Sequence, residues 1–163
     1  MEENPVFNVM EIFRGTTVDG PGFRTSIYLA GCSHGCPGCH NPQSHDPLAG
    51  HEMSLKEIMA IVWEEDFNVT ISGGDPLFNP LNLKRLVEAI KKDRRNIWIY
   101  TGYVWEDIIS NSALLSAIRE ADVLVDGLYI SELRDPDLPF RGSSNQRIID
   151  IQKSLISNEI VLY

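Results

Sequence analysis

Between residues 23 and 130 the hydrophobic pattern switches repeatedly between a strand period and a helix period, and that alternation limits the fold more than any other feature. FRTSIYLA (23–30) alternates and is rich in β-branched and aromatic residues, which suits a strand. SLKEIMAIVWEE (54–65) carries Leu55, Ile58, Met59 and Val62 at helical spacing, with Ser54 placed as N-cap and Glu57 three residues on. NVTIS (68–72) reads as a short buried strand closed by Gly73 and Gly74. NPLNLKRLVEAIKK (79–92) is helical, with Leu83, Leu86, Val87 and Ile90 on one stripe. A strand over NIWIY (96–100), helices over VWEDII and ALLSAIRE, and a strand over ADVLVDGLYI (121–130) continue the series. The tail contains Pro136, Pro139 and RGSSNQR, ends in apolar IVLY, and receives no element. This order predicts an α/β protein on a mainly parallel sheet. With no repeat, low-complexity tract or linker, it predicts one domain over residues 1–163.

In such sheets chemistry collects at the carboxyl ends of the strands. Every unusual short motif falls there: the cysteines after the first strand, SGGD after the second, YTGY after the third, VDG after the fourth. All three cysteines, Cys32, Cys36 and Cys39, lie within GCSHGCPGCHNP (31–42), with C-x3-C-x2-C spacing. An odd count does not make a disulfide framework, and a structural zinc site usually takes four ligands. Gly31, Gly35, Pro37 and Gly38 let a tight loop wrap three thiolates around one small object. An iron–sulfur cubane with three protein thiolates keeps one iron free for another molecule. Zinc, with His34 or His40 as the fourth ligand, answers the same spacing, and the residues alone leave both open.

The remaining motifs have two readings each. In SGGD (72–75) the glycines let a ligand approach the backbone and Asp75 accepts from a cation; a plain turn stopped by Pro76 has the same letters. FRGSSNQRIID (140–150) is a surface loop or a segment that closes over the site or meets a partner. His34, His40, His45 and His51 are assigned to no metal, and Trp63, Trp98 and Trp105 are read as packing.

Composition excludes several classes. The formal charge of −9 argues against nucleic acid as a main partner. No stretch approaches the roughly 18 apolar residues of a membrane span. MEENPVFNVMEIFRG lacks the basic start and apolar run of a signal peptide, so a cytoplasmic location is expected, where cysteines stay reduced.

The cysteine spacing resembles that of radical S-adenosylmethionine enzymes. VDGPGFRTSIYLAGC (18–32) resembles the signature of their glycyl-radical-activating branch through Gly20, Gly22, Arg24, Tyr28 and Gly31, with Asn41 beyond the last cysteine. Together with SGGDPL, YTGY and RGSSNQR, the chain is most similar to the activating proteins of anaerobic ribonucleoside-triphosphate reductase. The resemblance implies a partial, open (β/α) barrel of the radical S-adenosylmethionine type. It implies a [4Fe-4S] cluster on Cys32, Cys36 and Cys39 that reductively cleaves S-adenosylmethionine. The resulting 5′-deoxyadenosyl radical would generate a glycyl radical on the reductase, with a low-potential donor such as flavodoxin. Gly73, Gly74 and Asp75 are implied to contact the methionyl amine, Thr101 (with Gly102) the ribose or methionyl carboxylate, and Asp126 (with Gly127) the nucleoside. No catalytic side chain is implied beyond these. Many members place an aromatic before the third cysteine, where this chain has Gly38. The adenine contact then falls to backbone from Gly38 through Cys39 to His40. Alternatives are an activase of another glycyl-radical protein such as pyruvate formate-lyase, a small-molecule radical S-adenosylmethionine enzyme, or a non-enzymatic zinc-binding adaptor.

Overall fold

The computed structural model describes residues 4–163, and the first three residues of the segment read above for a signal peptide lie outside them. Seven strands form one sheet: β1 (Val6–Thr16), β2 (Arg24–Leu29), β3 (His51–Ser54), β4 (Asn68–Gly73), β5 (Ile97–Tyr100), β6 (Val123–Asp126) and β7 (Arg147–Asp150). The helices are α1 (Leu55–Glu65), α2 (Pro80–Lys92), α3 (Trp105–Ile109), α4 (Ser112–Ile118) and α5 (Ile151–Ser157). The spatial order is β3-β1-β2-β4-β5-β6-β7.

The sheet is mixed, which corrects the expectation of a mainly parallel one. β2, β4, β5 and β6 run parallel, but β1 pairs antiparallel with both β2 and β3, and β7 pairs antiparallel with β6. The antiparallel strands are the ones with weak periodicity. β1 buries only Phe7 and Val9 and then exposes Glu11 and Phe13; β3 buries nothing; β7 buries only Ile149. The strand read over 121–130 stops at Asp126, because Gly127 takes a φ of +99° and turns the chain out of the sheet.

Cross-strand partners share a face, so the register separates two environments. Ile27, Ile71, Ile99, Leu124 and Ile149 form one row across five strands, each fully buried beneath the helices. They join Ile58 and Val62 of α1 and Leu83, Leu86, Val87 and Ile90 of α2 in the main core. The opposite face carries Ser26, Thr70, Trp98 and Val123. There Arg24 is 1 % exposed and donates to Thr70 Oγ1 (2.8 Å) and Asn96 Oδ1 (2.9 Å), its guanidinium carbon 5.6 Å from the Trp98 ring centroid. Burial pushes Arg24 down to about 10. A Cβ on Gly20 would stand 2.9 Å from the Arg24 side chain, so the GPG-x-R spacing is a packing requirement.

The N-cap of α1 is reciprocal: the Glu57 amide donates to Ser54 Oγ at 3.1 Å, and the Ser54 amide donates to the Glu57 carboxylate at 2.7 Å. Ser54→Ala is expected to cost about 1 kcal/mol, read as a melting temperature lower by about 2–4 °C. An unchanged melting curve would show that the cap is redundant.

Candidate functional site

The cysteine loop occupies residues 30–50 between β2 and β3 and is pinned near its middle. The Gly31 amide donates to Ser44 O at 2.7 Å and the Cys32 amide to His45 O at 3.2 Å. Gly31 has φ +105°, and a Cβ there would meet the Phe78 ring at 2.6 Å. Cys32, Cys36 and Cys39 are free thiols, each partly exposed. The Cys39 amide donates to Cys36 O (3.2 Å), and the Asn41 amide is directed at Cys39 Sγ (3.4 Å). Burial pushes the Cys32 thiol up. Among the described residues no three His, Cys, Asp or Glu side chains are gathered around one ion's position. A cubane takes each thiolate on a different iron and does not ask for that gathering. Three soft sulfur donors on one loop, with a backbone N–H aimed at one of them, fit an iron–sulfur group.

The SGGD turn lies directly beneath this loop. The Gly74 amide donates to Leu29 O and the Asp75 amide to Gly31 O, both at 2.8 Å. A Cβ on Gly73 would run into the Leu29 backbone, and one on Gly74 would stand 2.5 Å from Gly31 O. The chain's own packing therefore demands both glycines. Asp75 is 2 % exposed. Its Oδ1 accepts from the Leu77 amide (2.9 Å) and Thr101 Oγ1 (3.0 Å). Its Oδ2 accepts from the Gly102 amide (3.0 Å), Thr101 Oγ1 (3.0 Å) and His34 Nε2 (2.5 Å). Thr101 thus points at Asp75. His34, which the sequence offers only as a fourth ligand in the zinc alternative, is drawn in from the cysteine loop to Asp75, and that hydrogen bond raises its pKa. Its ring meets Tyr103 edge-on, with centroids 4.8 Å apart. The spacing does not pair His34 with Asp75, because the two lie 41 residues apart.

Gly38 and His40 face the loop after β6. The His40 and Tyr129 rings are 4.9 Å apart, and a Cβ on Gly38 would touch Ser131 at 3.4 Å. RGSSNQR holds that loop from behind. Gln146 donates to Gly127 O (3.0 Å), Asn145 donates to Leu128 O (2.7 Å), and Ser143 Oγ accepts from the Ile130 amide (3.2 Å). Asp126 is placed elsewhere. It shares the helix-side face with Leu124, caps α3 by accepting from the Trp105 amide (2.8 Å), and accepts from Arg147 at 2.6 and 3.1 Å. Arg147 also reaches Glu106 at 2.8 Å. The structure joins the cysteine loop to Asp75, and through it to Thr101, by way of Gly31 and His34, and it sets Gly38 and His40 against the loop after β6. It does not bring Asp126 to them, because that carboxylate is engaged in holding α3 and β7.

A family model described as a 4Fe-4S single cluster domain matches residues 18–149. A curated relative from Escherichia coli K12 is 34% identical over 142 residues, 79% of this chain and 89% of its own. One from Vibrio cholerae is 36% identical over 143 residues, covering 80% and 90%. One from Enterobacteria phage T4 is 33% identical over 149 residues, covering 86% and 92%. Each carries the name anaerobic ribonucleoside-triphosphate reductase-activating protein. The crystal structure of QueE from Escherichia coli is similar in fold, with TM-score 0.50 and 21% identity over 60% of this chain and 52% of that one.

Proposed function

We propose, from the premise that the chain belongs to the family of anaerobic ribonucleoside-triphosphate reductase-activating proteins and carries its 4Fe-4S domain, that it generates the glycyl radical of that reductase using S-adenosylmethionine. The observation that carries this reading is the cysteine loop pinned directly over the buried Asp75 carboxylate. Cys32, Cys36 and Cys39 hold the [4Fe-4S] cluster. When bound and reduced, that group supplies the electron that splits S-adenosylmethionine into methionine and a 5′-deoxyadenosyl radical, which takes a hydrogen atom from a glycine of the reductase.

The chain's own residues orient the reactants. Asp75 accepts from an N–H of the methionyl amine, a contact assisted by the carboxylate's charge. Thr101 donates to both Asp75 oxygens and fixes the carboxylate's plane, so it acts through Asp75. Backbone at Gly38, Cys39 and His40 would line the nucleoside, on the side where the His40 ring meets Tyr129. Asp126 acts on the scaffold. The single domain forms a partial barrel whose open side admits the reductase's glycine loop. Among the described residues no helix is long and apolar enough to cross a membrane. The reading places the protein in the cytoplasm with a low-potential donor such as flavodoxin.

The test is anaerobic incubation of the reduced protein and S-adenosylmethionine with the reductase, followed by electron paramagnetic resonance. A doublet from a carbon radical coupled to one α-hydrogen is expected on the reductase and not on pyruvate formate-lyase. A doublet on pyruvate formate-lyase alone would overturn the partner and keep the chemistry.

A further inference from the structure

We propose that His34 is a latch on Asp75, occupying the place that the methionyl amine of S-adenosylmethionine takes and leaving when that amine arrives. This rests on the assignment of Asp75 to the amine. An ionised carboxylate offers about four lone-pair sites, and donors from Leu77, Thr101, Gly102 and His34 already fill those of Asp75. A further donor therefore enters only by exchange.

Three of the four partners cannot be exchanged cheaply. The Leu77 amide lies in the turn that Asp75 itself caps, and the Gly102 amide directly follows the strand-end residue Thr101. The Thr101 hydroxyl is held on a residue 6 % exposed. His34 differs from all of them. It comes from another loop, its side chain is 15% exposed, and it closes the outer side of a carboxylate that is otherwise shut off from solvent. The seat is shaped for an imidazole. Tyr103 meets its ring edge-on, and a Cβ on Gly102 would stand 2.7 Å from His34 Cδ2. His34 also lies between Cys32 and Cys36, so its release frees the first turn of the cysteine loop as the amine is captured. The exchange replaces one N–H donor by another and leaves no buried acceptor unpaired. His34 is thus a positioning residue, coupling amine recognition to the loop that holds the cluster.

The test is anaerobic equilibrium titration of cluster-loaded protein with two probes, S-adenosylmethionine and 5′-deoxy-5′-methylthioadenosine, which lacks the amine. A latched state lowers apparent affinity by the fraction of protein that is open, so His34→Ala should bind S-adenosylmethionine about threefold to tenfold more tightly. Its affinity for methylthioadenosine should not change. His34→Gln, which keeps a donor of similar reach, should fall between Ala and wild type and covers the case in which Ala fails to fold. Equal weakening of both probes would make His34 a structural brace and overturn the latch. Asp75→Asn separates the two layers. Unchanged S-adenosylmethionine binding in Asp75→Asn overturns the assignment of Asp75 itself. Weakened binding there, with His34→Ala indistinguishable from wild type, overturns only the latch.

Discussion

Cys36→Ala is expected to lose iron loading and radical formation together while the circular dichroism spectrum stays close to wild type. Each thiolate of a three-cysteine cubane holds its own iron, and the chain has only three cysteines. The nearest imidazoles are engaged: His34 is bonded to Asp75 and His40 packs at a tilt against Tyr129. The fold persists because no cysteine belongs to the hydrophobic core. Cys32→Ala and Cys39→Ala should behave alike. Iron and sulfide per chain, measured anaerobically, decide it. A variant with full iron and full activity would remove that cysteine from the ligand set, and a colourless wild type holding zinc would return the adaptor reading.

Asp126→Ala should lower stability markedly without touching the cysteine loop. The carboxylate is fully buried, accepts two bonds from Arg147, and satisfies the first amide of α3. Removing it breaks an ion pair and a helix cap at once. Arg147 is 33% exposed and keeps Glu106, so its charge remains partly solvated and the usual cost of a fully buried orphan is reduced. A loss of roughly 2–3 kcal/mol follows, or about 4–12 °C in melting temperature. Asp126→Asn, which keeps an acceptor for Trp105, should lose less. If Ala melts like wild type but binds S-adenosylmethionine more weakly, Asp126 belongs to the nucleoside site after all.

Sequence periodicity locates α1, α2, β2, β4 and β5 within a residue or two, because each carries an apolar stripe or run that one core buries. β1 is hidden by its own geometry: its first half is covered by the core, whereas Glu11 and Phe13 face outward, so no single period spans it. β7 is obscured for another reason. It is four residues long, and the polar loop before it is tied to the end of β6 by bonds from Asn145 to Leu128 and from Gln146 to Gly127, which span 17 and 19 residues. At the site, the cysteines and SGGD are legible because loop chemistry is local. The Thr101–Asp75–His34 cluster is not, since it joins three loops and its acceptor count exists only in three dimensions. Asp126 misleads for the opposite reason. A strand-end aspartate has the same letters whether it faces a ligand or a helix, and only the register of Leu124 shows which.

Within the cysteine loop, the backbone bonds from Gly31 to Ser44 and from Cys32 to His45 bear on the order of assembly. In a zinc finger the metal closes the loop, so metal binding and folding are one event. Here backbone bonds close it, and the sheet behind it has already fixed the ends at β2 and β3. The closure entropy is met during folding. On the proposed function, iron and sulfide are expected to arrive at a loop already closed by the chain, and a cluster lost to air should be replaceable without refolding.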